Sequence, residues 1–241
     1  MNTDKKRIVI LAGPPGSGKG TQALWLENES KFFHLESSAV IREQFAEHPN
    51  DPLIIQQKAK VESGDIVDPP TILEWMRGKI TDLAEQGKSI VLSGSPRSEF
   101  EAAGNEQTQG LIPLFEQFYG EQNIYMFYIT ITEEEALRRA GTRRVCVAHD
   151  HPIPDLPEYR ARITCPWDGS ALQRRTDGLD DHPEIIQKRY HEYLKRIEPI
   201  LAYMRKRGYT VVEIDGAEQI EEIHHKVIEV VERHRLPVPE N

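Results

Sequence analysis

One stretch limits what this chain can fold into. Residues 8–22 read Ile-Val-Ile-Leu-Ala-Gly-Pro-Pro-Gly-Ser-Gly-Lys-Gly-Thr-Gln. The apolar start, bounded by charge at Lys5, Lys6 and Arg7, reads as a strand buried on both faces. Four glycines and two prolines then take six of the nine positions from Gly13 to Thr21, and a helical pattern sets in at Lys19. Strand, glycine-rich loop and helix in that order make the context of a phosphate-binding loop, and Gly13-x4-Gly18-Lys19 has its spacing. Gly20 stands where Ser or Thr is expected, and Thr21 follows one place later.

The residue types follow from the chemistry. Backbone N–H groups converge on an anion only where side chains leave room, so Gly13, Pro15, Gly16, Ser17, Gly18, Lys19, Gly20 and Thr21 are the expected ATP cradle. The helix aims its unpaired N–H groups and positive end at the same phosphates. Lys19 adds a full charge there, and the Thr21 hydroxyl is the candidate Mg²⁺ ligand.

Length and charge narrow the class. The 241 residues suffice for one large or two small domains. With 39 acidic against 30 basic residues the chain carries a formal net charge of −9, which argues against a nucleic-acid binder working through its global field. No apolar run approaches the roughly 18 residues of a membrane span. The basic and apolar opening is too short for a signal peptide and leads straight into the phosphate loop. The default compartment is therefore the cytoplasm; the two distant cysteines do not make a disulfide framework, and a monomer is the expected state.

Along the chain, strands are expected at Ile8–Ala12, Phe32–Leu35, Ser89–Leu92, Ile124–Ile131 and Tyr209–Ile214, separated by helical patterns. Those helices run from Lys19 to Asn28, Ile54 to Ser63, Thr71 to Gln86, Leu111 to Tyr119, Glu133 to Ala140, Pro183 to Arg207 and Ala217 to Arg235, with a further one opening at Ser37 or Ser38. Strands alternating with helices predict an α/β fold, its parallel sheet covered on both faces. Gly141 to about Asp181 breaks the rhythm and is too long for an ordinary loop, so it reads as a lid or small inserted domain.

Several pieces then recur in one order: the loop of residues 13–22, Ser37 with Arg42 five residues on, Gly64-Asp-Ile-Val67, Gly94-Ser-Pro-Arg97 after a strand, Arg139-x3-Arg143, Gln173-Arg-Arg-Thr-Asp177, and Pro183-Glu-Ile-Ile-Gln-Lys-Arg189. In this order they resemble the adenylate kinase family of nucleoside monophosphate kinases in its long-lid form, over nearly the whole chain. The resemblance implies a P-loop three-layer sandwich around a central parallel five-stranded sheet, with a small helical insert for the acceptor and a lid. Residues 1–35, 68–140 and 182–241 would be the core, 36–67 the insert and 141–181 the lid.

The resemblance also implies a reaction, the transfer of the terminal phosphoryl group of ATP to a nucleoside monophosphate with Mg²⁺. Such a transfer asks the protein to position two substrates and neutralise spread charge. Arginine suits this because its planar fork binds phosphate bidentately. By similarity Arg42 and Arg97 hold the acceptor phosphate, while Arg139, Arg143, Arg175 and Arg189 act with Lys19 on the donor and the transferring group. Ser37, Asp65, Val67, Gly94 and Glu101 would surround the acceptor nucleoside.

The chain departs from the family at three places. Glu101 stands where adenylate kinases carry Gln, and a carboxylate only accepts hydrogen bonds. AMP is the expected acceptor, with GMP the alternative that Glu101 raises. Ser93 and Ala39 stand where the family has aspartates near the metal, which leaves open a weakly catalytic nucleotide-binding regulator. In the lid, Cys146-x2-His149 and Cys165-x2-Asp168 are two paired clusters with ligands suited to structural Zn²⁺, and the family's zinc-bearing lids place theirs at nearly this spacing. His151 is the substitute for His149, the least certain of the four.

Overall fold

A computed structural model describes residues 6–142, 144–149, 151–153, 157–174 and 183–233. Arg143 and Arg175 lie outside these residues. β1 (Ile8–Ala12) is buried along its whole length, as a run apolar on both faces must be at the centre of a sheet. Beside it lie β3 (Ile90–Ser93) on one side and β4 (Ile124–Thr130) on the other; β2 (Phe33–Glu36) and β8 (Val211–Asp215) complete a five-stranded sheet of order β2-β3-β1-β4-β8. Every pairing in it is parallel.

Alternate residues of these strands feed two cores. On one face Val9, Leu11, Val91 and Phe127 pack with Ala23 and Leu26 of α1 (Lys19–Ser30) and with Ile223, Val227 and Val231 of α10 (Ile220–Arg233). On the other, Ile8, Ile10, Leu92 and Met126 pack with Met76 and Ile80 of α4 (Pro69–Glu85), Phe115 of α6 (Leu111–Tyr119), and Leu201 and Met204 of α9 (Pro183–Lys206). Fully burying such a side chain contributes about 1.5–3 kcal/mol. The chain leaves β1 toward β2 on one side and later crosses from β3 to β4 on the other. That reversal opens a crevice at the carboxyl ends of the strands, where the glycine loop lies.

Two excursions leave this sandwich. After β2 come α2 (Ser37–Glu47) and α3 (Pro52–Glu62), the latter capped by the Asp51 carboxylate at the Leu53 N–H. After α7 (Glu133–Gly141) comes a three-stranded antiparallel sheet of order β6-β5-β7, formed by β5 (Arg144–Cys146), β6 (Pro152–Ile153) and β7 (Leu172–Arg174). α8 (Pro157–Arg160) lies in the same excursion.

The sequence reading and the structure differ in places. The segment after Arg97, read as a loop, forms α5 (Glu99–Ala103), started by the Ser98 hydroxyl accepting from the Glu101 N–H. One turn is too short to show periodicity. The last helix starts at Ile220 rather than Ala217, because the Asp215 carboxylate holds the Ala217 N–H in a turn. Leu194, read as part of the apolar face of the long helix, is 38% exposed.

Candidate active site

The crevice is a cleft of about 870 Å³ lined by the glycine loop, both excursions and α9. Gly13 leaves β1 where a Cβ would collide with the Ile129 carbonyl and the Ser17 hydroxyl. Gly16 (φ 82°) and Gly18 (φ 95°) take the left-handed conformation that side chains disfavour. Gly18 is the N-cap of α1 and offers no side-chain cap, so the first N–H groups of that helix are left for an anion. Lys19 folds back over the loop, its Nζ donating to the Gly13 carbonyl at 2.6 Å, the Pro14 carbonyl at 2.9 Å and the Ser17 hydroxyl at 3.3 Å. Pro15, Gly16, Ser17, Gly18, Gly20 and Thr21 line the cleft with it.

Arg139 reaches the loop from α7. Its Nη1 donates to the Gly16 carbonyl at 3.3 Å and its Nη2 to the Gly216 carbonyl at 2.8 Å, so it ties the loop to the turn after β8. Glu135 accepts from both Arg138 and Arg139, and these bonds, that from Arg138 foremost, lower its carboxyl to about 2. Arg189 of α9 lines the same cleft. From β6, Pro152 comes down on Gly20, where a Cβ would stand 3.3 Å from the Pro152 Cγ.

Arg42, Gly64, Asp65, Val67, Gly94 and Arg97 also line the cleft. Arg97 is positioned by its own turn: its Nε donates to the Gly94 carbonyl and its Nη2 to the Ser37 hydroxyl at 3.1 Å. Burial lowers Arg97 from its usual value, Glu101 and Glu36 draw it back up, and Arg189 opposes them. Asp65 pairs with Arg196 at 3.4 Å.

Two residues expected around the acceptor nucleoside do not line the cleft. Ser37 is fully buried and donates to the Gly94 carbonyl at 2.9 Å. Glu101 is fully buried too, its carboxylate accepting from the Ser95 hydroxyl at 2.8 Å, and burial raises its carboxyl above the usual range. A buried carboxylate needs donors, and Ser95 and Ser98 supply them from inside the turn.

In the small sheet, ligand atoms of Cys146, His151, Cys165 and Asp168 all lie within 4.8 Å of one another. The structure thus gathers His151, where the C-x2-H spacing pointed to His149. His149 Nδ1 instead meets the Asp168 carboxylate at 2.7 Å, and its ring stacks on His151 at 5.3 Å. The backbone N–H groups of His149 and His151 both donate to the Cys146 sulfur from 3.3 Å. Cys146, Ile153 and Cys165 form one small buried cluster in this excursion, with Tyr159, Trp167 and Leu172 packed partly buried against it.

Three neighbours of the site had not been singled out. Tyr193 accepts from the Gly13 N–H at 2.6 Å, and its ring centre lies 5.9 Å from Lys19 Nζ. Its spacing of four from Arg189 on one helix face was the available signal. His34 Nε2 lies 2.7 Å from the Ser93 hydroxyl, and Glu36 ends β2 at the cleft. Strand pairing creates both relationships, and no local spacing shows it.

A phosphate loop and several arginines lining one cleft, on a parallel sheet with two excursions, define a P-loop nucleotide kinase. The family model for adenylate kinase matches residues 11–209. An adenylate kinase of Pyrococcus furiosus is 30% identical, the match covering 91% of this chain and 93% of that protein. One of Pyrococcus horikoshii is 29% identical over the same shares, and one of Petrotoga mobilis 27% identical over 92% and 96%. The chain belongs to the adenylate kinase family. It is thereby a nucleoside monophosphate kinase, a phosphotransferase with a phosphate group as acceptor.

Proposed function

We propose that this chain transfers the terminal phosphoryl group of ATP to AMP, giving two ADP. The observation that carries the reading is one cleft lined by both the Lys19 loop and the arginines Arg42 and Arg97. An oxygen of the acceptor phosphate attacks the terminal phosphorus, and the bond to the oxygen bridging it to the rest of the donor breaks. The loop's N–H groups, Lys19, Arg139 and Arg189 neutralise charge on the donor and on the group in flight. Arg42 and Arg97 hold the acceptor phosphate in line.

Residues 36–67 then act as the acceptor insert and 141–181 as the lid, hinged on the core of 1–35, 68–140 and 182–241. Pro152 resting on Gly20 is consistent with a lid that closes on the donor loop and keeps water from the transferring group. One chain supplies both sets of groups, so a monomer suffices. Cysteines gathered in a ligand group rather than a disulfide suit the reducing cytoplasm.

Two metals belong to this reading. The Thr21 hydroxyl on the first turn of α1 and oxygen donors lining the same cleft fit Mg²⁺, which supplies charge to the phosphates when bound. Two cysteines, an imidazole and a carboxylate fit tetrahedral Zn²⁺, held by Cys146, His151, Cys165 and Asp168. The zinc would stiffen an excursion with too small a core of its own.

The test is an ADP-release assay with ATP as donor and AMP, GMP, CMP and UMP as acceptors. Turnover with AMP well above the others supports the proposal. Preference for GMP would return Glu101 to the base-reading role, and binding without turnover for any acceptor would favour a nucleotide-binding regulator.

A further inference from the structure

Hydrated Mg²⁺ on a nucleotide is held by carboxylates acting on its waters, yet β3 ends in Ser93 and α2 carries Ala39 in its first turn. Among the described residues, the carboxylates lining the cleft are Glu36, Glu62, Asp65, Glu135, Glu192 and Glu218. Glu135 is held by Arg138 and Arg139, Asp65 and Glu192 share Arg196, and Glu218 pairs with Lys226. Glu62 ends α3 in the helical excursion. Glu36 alone of the six stands on the central sheet.

Its register places it closely. Glu36 is the rung partner of Ser93, and Ser93 of Leu11, the second residue before the loop begins at Gly13. Residues on one rung of a parallel sheet share a face. The bond from His34 to Ser93 and the packing of Val91 and Leu11 under α1 identify that face as the one covered by α1, whose first turn carries Lys19 and Thr21. Glu36 is also the N-cap of α2, but its side chain does not cap that helix. It turns to the cleft, where Ser38 donates to one oxygen at 2.5 Å and Arg42 approaches the other at 4.0 Å. Its negative charge is felt by both the His34 ring and the Arg97 guanidinium.

We propose that Glu36 is the carboxylate that holds the waters of the nucleotide-bound Mg²⁺, in place of an acid at position 93. A carboxylate that orients a metal-bound water need not touch the ion, so Glu36 would act from the end of its strand. Ser93, its hydroxyl tied to His34, contributes a neutral hydrogen-bonding group on the same rung.

The inference rests on the kinase reading, but its test does not need turnover. Mn²⁺ is titrated into the full-length protein with a non-hydrolysable ATP analogue, and the loss of the free aqua-ion signal is followed by electron paramagnetic resonance. Glu36→Gln keeps size and shape, and its binding of the metal-free analogue and its melting temperature report the fold. The expected result is a weakening of Mn²⁺ binding by about ten-fold, the low end for groups that orient a metal's shell, with metal-free analogue binding unchanged. Adding Ser93→Asp to Glu36→Gln should restore most of the affinity. Unchanged Mn²⁺ affinity together with a raised KM for AMP would overturn the proposal and make Glu36 a partner of Arg42 only. Failure of the acceptor assay with intact Mn²⁺ binding would instead overturn the kinase reading alone.

Discussion

The Tyr193 hydroxyl on α9 accepts a 2.6 Å hydrogen bond from the backbone N–H of Gly13, the first residue of the phosphate loop. The same ring lies 5.9 Å from Lys19 Nζ. A helix that packs the far side of the sheet therefore pins the point where β1 becomes the loop. Tyr193→Phe keeps the ring beside Lys19 and removes the acceptor. An unpaired backbone N–H costs about 1–3 kcal/mol, so the variant should melt several degrees lower and show a raised KM for ATP. Calorimetry and steady-state kinetics check both; an unchanged melting temperature would mean that water replaces the hydroxyl.

Lys19 is held by three oxygens of its own loop, so its charge is pre-aimed before nucleotide arrives. Replacing it with Met removes a group whose interaction grows as charge develops on the transferring phosphoryl. The expected loss in kcat is about 100-fold or more, with a smaller change in the Kd for ATP. Single-turnover rates and nucleotide titration separate the two.

The lid cluster predicts a hierarchy between two neighbouring histidines. His151 lies in the ligand group, while the His149 ring meets the Asp168 carboxylate and stacks on His151. His151→Ala should lose most of the bound zinc and lower the melting temperature, whereas His149→Ala should keep about one equivalent. Elemental analysis of chelator-free protein decides. A reversed order would restore the assignment made from the C-x2-H spacing.

Stability should fall on the acid side through a buried histidine of the last helix. His224 of α10 is buried, with Nδ1 3.2 Å from the Gln22 side-chain oxygen Oε1 and Nε2 3.2 Å from the Glu29 carboxylate. Burial lowers it from the ordinary value of 6.5, Glu29 works against that, and His225 works with it. Below about pH 6.5 the unfolded chain binds a proton that the folded chain refuses. Stability is therefore greatest above that pH and declines below it, by up to about 1.4 kcal/mol per pH unit for one group. His34, also lowered chiefly by burial, acts in the same direction. Melting temperatures from pH 8 to 5 should drop less steeply in His224→Gln than in the parent protein.

Much of the core was legible because its signals are local. The apolar runs at Ile8–Ala12 and Ile124–Thr130, and the helical spacing of Ile72, Met76 and Ile80, each declare an element within a dozen residues. The loop was legible for the same reason, since its glycines, Lys19 and Thr21 are consecutive. What escaped depends on residues far apart in sequence. Glu36 and Ser93 meet through strand register, Tyr193 and Gly13 through helix packing across 180 positions, and Glu101 is turned inward by Ser95 and Ser98. Likewise Cys-x2-His spacing names a ligand type, but the path of the chain from β5 to β6 brings His151 to the cysteines.

The sequence by itself determined the alternation of strand and helix, the phosphate loop, the supply of arginines and the presence of ligands in the lid. It did so because hydrophobic period, glycine conformation and charge act over a few residues. Only the tertiary structure decided which carboxylate stands at the rung of Ser93, which histidine joins Cys146 and Cys165, and which hydroxyl steadies Gly13. Those outcomes follow from parallel strand register and the packing of helices on both sheet faces, which join groups that share no local pattern.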